Sequence, residues 1–199
     1  MRRAVFFLGA VLLAAAGFAD PAIEAANIVD HPFSAGFASG GRLRLRVRSG
    51  DVRIVGTNED RISVELSGRN ADRAREVRVR LTEKDGDAVL RISGGPHNEV
   101  VTTIRIPRRT NLFARIPFGD VSVENVEGDK DVAVHAGDLT IDVGNPADYG
   151  HVDASVNTGD LNGQPFGESK DGLFRSFHKE GSGKYRLRAH VGAGDLTLR

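Results

Sequence analysis

The 199-residue chain has no cysteine and no tryptophan, two tyrosines and one methionine. Without cysteine there is no disulfide, no thiolate metal site and no residue to carry a lipoprotein anchor. The formal net charge is +0, so no global field draws the chain to nucleic acid or to an anionic membrane, and few aromatic faces are present on which bases could stack. Long helical patterning is also missing: no 3.6-residue apolar period persists beyond about two turns. A single apolar run stands out, residues 4–16, and it is shorter than the ~20 residues that span a bilayer. Arg2 and Arg3 precede it and small residues Gly17 and Ala19 follow. That order reads as a secretory signal peptide over 1–19, cut after Ala19, with Ala25-Ala26 as a later alternative. Removing Arg2 and Arg3 from the 27 basic residues leaves 25 against 27 acidic ones, a net charge of −2 for the mature chain. The expectation is an exported protein, periplasmic or at the cell surface, with no transmembrane span after processing.

What the chain has in excess is Gly-Asp. The dipeptide begins at Gly50, Gly86, Gly119, Gly128, Gly137, Gly159 and Gly194. Five copies share a longer form, a small or apolar residue, Gly, Asp, then Val or Leu. The corners are Gly50-Asp51, Gly119-Asp120, Gly137-Asp138, Gly159-Asp160 and Gly194-Asp195. Glycine accepts the left-handed backbone of a sharp corner. Aspartate is expected to hold the corner by accepting N–H groups one or two residues on. The following Val or Leu enters a strand. If successive corners align, Asp120, Asp138 and Asp160 fall about 4.8 Å apart, the strand spacing. At that distance either staggering or a cation must relieve their repulsion. The paired glycines of calcium-binding nonapeptide rolls are absent, which argues against a specific calcium site.

Between the corners lie short period-2 runs. Residues 42–48 read RLRLRVR, with Leu43, Leu45 and Val47 on one face and Arg42, Arg44, Arg46 and Arg48 on the other. Residues 77–82 and 88–92 form a hairpin around Asp85-Gly86. All clear elements are strands of four to eight residues, which predicts an all-β chain. The nine-residue interval from Gly119 through Gly128 to Gly137 favours a β-solenoid whose rungs stack in chain order. Residues 20–41 are a lead-in with one strand near His31 to Phe37, and 42–199 form the solenoid domain.

Candidate chemistry is sparse. The histidines (His31, His97, His135, His151, His178 and His190) form no His-x-His or His-x-x-x-His pair, so no metal ligand set and no cofactor site is expected. His135 and His151 sit on predicted strands that a coil can bring together. No nucleophile elbow, P-loop or dinucleotide fingerprint is present. No catalytic residue is assigned. Two features depart from the repeats. The Arg42, Arg44, Arg46, Arg48 face, with Arg78 and Arg80, is either a basic stripe for anionic glycan or a solvated face neutralised by Glu65, Glu76 and Glu83. The 162–183 insertion carries Phe166, Phe174 and Phe177, as an end cap or as an exposed interaction patch.

With these residues laid out, the chain resembles the bacterial putative-adhesin domains of unknown function, similar to the head domains of some autotransporter adhesins. The matching pieces are IRIPRRTNL (104–112), FGDVSVENVEGD (118–129), AGDLTIDV (136–143) and GSGKYRLRAHVGAGDLTLR (181–199). The resemblance implies a single-stranded right-handed β-helix or roll over 41–199. It implies a non-catalytic adhesin-like or envelope-binding role toward a glycan or protein, and it carries no catalytic residues. The competing expectations are a carbohydrate-active enzyme on a β-helix and a self-associating envelope protein.

Overall fold

A computed structural model describes residues 22–26, 28, 32–68, 76–95, 100–170 and 173–199. The expected signal peptide, His31 and His97 lie outside these residues. The described chain is all-β. Its strands are, in order, β1 (Ala22–Ala26), β2 (Phe33–Gly36), β3 (Arg42–Val47), β4 (Asp51–Thr57), β5 (Arg61–Gly68), β6 (Arg78–Lys84), β7 (Asp87–Ser93), β8 (Val100–Pro107) and β9 (Asn111–Phe118). They continue as β10 (Val121–Glu124), β11 (Lys130–Ala136), β12 (Leu139–Ile141), β13 (Tyr149–Thr158), β14 (Leu161–Gly163), β15 (Glu168–Lys170), β16 (Leu173–Glu180), β17 (Tyr185–Ala193) and β18 (Leu196–Leu198).

The strands build two large mixed sheets. The first runs β1-β6-β7-β3-β9-β11-β17-β13-β16, the second β15-β14-β18-β12-β10-β4-β8-β5-β2. In each, six central strands pair in parallel, and antiparallel neighbours close both flanks. The lead-in contributes to both: β1 pairs with β6, and β2 with β5. At the tip of the β6–β7 hairpin both turn residues take positive φ, Asp85 at 51° and Gly86 at 81°, as a two-residue hairpin turn demands.

Strict alternation makes the core. In β3 the leucines and Val47 are buried and the arginines exposed. In-register neighbours extend each inward position into a column, such as Ile92, Val47, Ile116, Val134, Val191 and Val156 across six strands. The parallel register of β3 on β9 makes the column continuous through its middle. Inward residues of both sheets form one hydrophobic cluster.

Each of the five Gly-Asp corners leads from a strand of the first sheet into one of the second, and the corners stack. At Gly137 φ is +132°, and a Cβ there would lie 2.3 Å from the Gly119 carbonyl oxygen. Glycine is therefore required for close approach as well as for φ. From sequence each aspartate is expected to hold its own turn; instead, four of the five carboxylates reach the next corner. The N–H of Asp120 donates to Asp51 Oδ1 (3.2 Å), that of Asp138 to Asp120 Oδ1 (2.9 Å), that of Asp195 to Asp138 Oδ1 (2.9 Å) and that of Asp160 to Asp195 Oδ1 (2.9 Å). Every carboxylate in the series except the last thus faces an N–H dipole of its neighbour, a third way to accommodate stacked charges besides staggering or a cation.

The stack order differs from the expected chain-order solenoid. Corners 50, 119 and 137 follow one another, but 194 comes next and 159 last, because β17 and β18 insert between β11-β12 and β13-β14. Local spacing specifies a corner; it does not specify which distant strand lies beside it.

Candidate functional site

The outer face of the first sheet gathers the polar features. Register places Arg80 opposite Arg91, Arg91 opposite Arg46, and Arg46 opposite Arg115. Four arginines therefore lie in one row across four adjacent strands, at about 4.8 Å per strand, all exposed. Like charges directly opposite each other destabilise a sheet. Arg80 has Glu24 as a partner (3.2 Å) and Arg115 has Asp131 (2.8 Å). Arg46, Arg91 and, beside the row, Arg44 have no ion pair among the described residues, while Arg42 lies 3.5 Å from Asp87. Two of the glutamates expected to neutralise this face are engaged elsewhere. Glu65 belongs to β5 of the other sheet and pairs with Arg105 (2.7 Å). Glu83 accepts the Gly86 N–H of its own hairpin (3.0 Å).

From Arg115 a chain of charges crosses to the far edge of the sheet. Asp131 lies between Arg115 and Arg188 (3.9 Å), and Arg188 reaches Asp153 (3.8 Å). There β13 and the edge strand β16 bring four side chains together, since His151 lies opposite Glu180 and Asp153 opposite His178. His151 Nε2 and His178 Nδ1 contact the two Asp153 oxygens at 2.8 and 2.7 Å. His151 Nδ1 and His178 Nε2 contact Glu180 Oε1 at 3.0 and 2.8 Å. The imidazoles meet edge-on, centroids 4.6 Å apart. Hydrogen bonds to Asp153 and then Glu180 raise the His178 pKa above its ordinary value. The bond from His178 holds Asp153 below the usual carboxylate range, and those from His178 and His151 do the same to Glu180.

Sequence reasoning missed this quartet. It sought histidine pairs within one strand and, across strands, considered only His135 with His151, whereas the structure unites His151 with His178 and leaves His135 edge-on to Phe118. The available signal was two His-x-acid tripeptides, 151–153 and 178–180, each placing both side chains on one strand face. Nearby, Ser155 Oγ contacts His190 Nδ1 (2.9 Å). Ser155 lies mid-strand, not on an elbow, and no carboxylate contacts His190 among the described residues, so the pair does not form a hydrolytic triad.

The insertion divides between the two roles considered for it. Phe166 and Phe177 are buried, correcting their assignment to an interaction surface. They pack against each other (6.1 Å), and Phe166 against Tyr149 (6.3 Å), at the end of the core. Phe174 alone of the three is exposed, at 79%.

One buried group was also unforeseen. Lys130 is 1% exposed and occupies an inward position between Leu112 and Leu187. Its Nζ donates to the Tyr149 hydroxyl and lies 4.9 Å from the ring centroid. Burial lowers the Lys130 pKa to about 8. Burial likewise raises the Tyr149 pKa.

No protein-family model matches the chain, and no curated protein matches it. Among solved structures, it is similar to a "putative cell adhesion protein" of Clostridium sporogenes, with 14% identity and a TM-score of 0.51 over 84% of this chain and 97% of that one. A "putative adhesin" of Bacteroides fragilis aligns over 91% of this chain and 98% of that one, with 10% identity and a TM-score of 0.34. The first likeness is one of fold.

Proposed function

We propose that this chain is an exported, non-catalytic, adhesin-like scaffold that binds a polyanionic glycan of the envelope or cell surface through the outer face of its first sheet. The observation that carries this reading is the row Arg80, Arg91, Arg46 and Arg115. Four cations held opposite one another work against folding. Glu24 and Asp131 offset the outer two; an anionic chain laid across the strands would relieve the cost that remains at Arg46 and Arg91, and guanidinium forks suit sulfate, phosphate and carboxylate groups. The fold shared with a protein described in terms of adhesion is consistent with the reading. Export rests on the Arg2-Arg3 and apolar 4–16 pattern. Among the described residues no helix is long and apolar enough to cross a membrane. The same reading takes the five strand–corner–strand units as coils of a β-roll. Stacked corners and parallel registers support it; the exchanged last two units depart from a simple one.

The test is binding of the mature protein to immobilised heparin and to a glycan array, with and without calcium. The double variant Arg46→Ser, Arg91→Ser should weaken heparin binding at least tenfold at low salt, and the wild-type affinity should fall steeply as salt is raised. Unchanged binding in the double variant would refute the assignment.

A further inference from the structure

The quartet at the β13–β16 edge has a hydrogen-bond count that closes only with added positive charge. Each imidazole has both ring nitrogens within 3.0 Å of a carboxylate oxygen. Four N–H groups would be needed, and two neutral imidazoles supply two; the other two places take either protons, which make both rings imidazolium, or a metal ion that competes with those protons. The geometry sorts them. Asp153 offers one oxygen to each ring, so it can accept His151 Nε2–H and His178 Nδ1–H together. That choice of tautomer leaves the lone pairs of His151 Nδ1 and His178 Nε2 converging on Glu180 Oε1. Lone pairs directed at a carboxylate oxygen repel unless a positive centre lies between them.

We infer that His151 Nδ1, His178 Nε2 and Glu180 form a three-ligand site for a zinc-class divalent cation, with Asp153 as the outer carboxylate that fixes both imidazoles. One ligand atom from each of the three residues lies within 4.8 Å of the other two. Tetrahedral zinc, with bonds of about 2.0–2.1 Å, needs its ligands roughly 3.3 Å apart. Two of the three separations are already shorter than that, 3.0 and 2.8 Å. The exposed Glu180 side chain is free to withdraw and admit the ion. Two imidazoles and one carboxylate are a borderline nitrogen–oxygen set, suited to zinc rather than to calcium or magnesium, which seek six or more oxygens. An Asp behind each ligating histidine is the arrangement that orients such rings and strengthens them as ligands. Two carboxylates balance the charge of the ion. The fourth position faces solvent and would accept water or an anionic group. The ion would also fasten the edge strand β16 to β13. None of this depends on the arginine row or on the glycan reading.

The experiment uses untagged mature protein, stripped with chelator and titrated with Co2+ and Zn2+ at pH 7.5. One equivalent of Co2+ should give a visible ligand-field spectrum that Zn2+ displaces, and saturating Zn2+ should raise the melting temperature by about 5 °C. His151→Ala and His178→Ala should each weaken binding at least tenfold. Asp153→Asn, which keeps the ligands but not their orienter, should weaken it by about tenfold. His190→Ala, on the same face, should change nothing. The ring 15N shifts of His151 and His178 should move on Zn2+ addition, giving a readout in the wild-type protein should any variant fold poorly. Absence of saturable binding, binding that survives both histidine variants, or unmoved ring shifts would each overturn the assignment.

Discussion

Replacing Gly137 by alanine separates two reasons for a glycine. At this corner a Cβ would lie 2.3 Å from Gly119 O, 2.6 Å from Gly119 C and 3.2 Å from Asp120 Oδ1. Relief requires the two corners to part by about 1 Å. Three bonds cross that gap: Gly119 N–H to Ala136 O (3.0 Å), Val121 N–H to Asp138 O (2.8 Å) and Asp138 N–H to Asp120 Oδ1 (2.9 Å). Each contributes about 0.5–1.5 kcal/mol. The φ of +132° adds about 1–3 kcal/mol for any residue with a side chain. The sum is about 2.5–7.5 kcal/mol, a large part of the 5–15 kcal/mol typical of a whole domain. Gly86 is the control: its φ is +81°, and a Cβ placed there would meet nothing within 4 Å, so alanine should cost only about 1–2 kcal/mol. Urea unfolding followed by far-ultraviolet circular dichroism measures both. Gly137→Ala should lose at least 2 kcal/mol more than Gly86→Ala, or fail to fold while Gly86→Ala folds. Equal losses would refute the close-approach argument.

The stacked carboxylates give a second test. Asp138→Ala removes the acceptor of the Asp195 N–H and should cost about 1–2 kcal/mol, whereas Asp138→Asn keeps an acceptor oxygen and should cost less; chemical unfolding of the pair checks the order. Lys130 supplies a pH dependence. Its folded pKa of about 8 lies below the ordinary 10.5, so between these values the unfolded chain binds a proton that the folded chain does not, and stability rises with pH. The rise from pH 7.5 to 9.5 should be about 2 kcal/mol at 1.36 kcal/mol per pH unit, and beyond pH 10 the raised Tyr149 pKa reverses the trend. Unfolding at several pH values should show the rise in wild type and its loss in Lys130→Met; a rise of the same size in the variant would exclude Lys130 as its source.

Much of the scaffold was legible because it is written locally. Alternation in 42–48 fixes which face of β3 is buried, Asp85-Gly86 fixes a hairpin, and each Gly-Asp followed by Val or Leu marks a corner. Lys130 was legible in principle: it shares the inward alternation of Val132 and Val134, yet the flanking Asp129 and Asp131 make it look exposed. The neighbours of β17 were not legible. The AGDL corners at 137 and 194 stack directly although 57 residues separate them, and no local spacing records that adjacency. The same holds for the candidate sites. The row of arginines and the histidine–carboxylate quartet exist through cross-strand register, which joins residues from separate segments, while each segment alone carries only one or two of them.

The position of β17 and β18 inside both sheets bears on how the chain reaches its native state. In a stack laid down in chain order, each new unit can dock on a finished template as it emerges. Here β13 and β14 have no direct contact edge on β11 and β12; Tyr185–Ala193 and Leu196–Leu198 must first fill the space between them. Docking of β13 and β14 therefore waits for β17 and β18 and is dominated by distant pairings, which slows folding and prolongs the exposure of open strand edges. A chain shortened before Tyr185 would lack a keystone from the middle of the wall, and both ends of the sheets would be left unjoined.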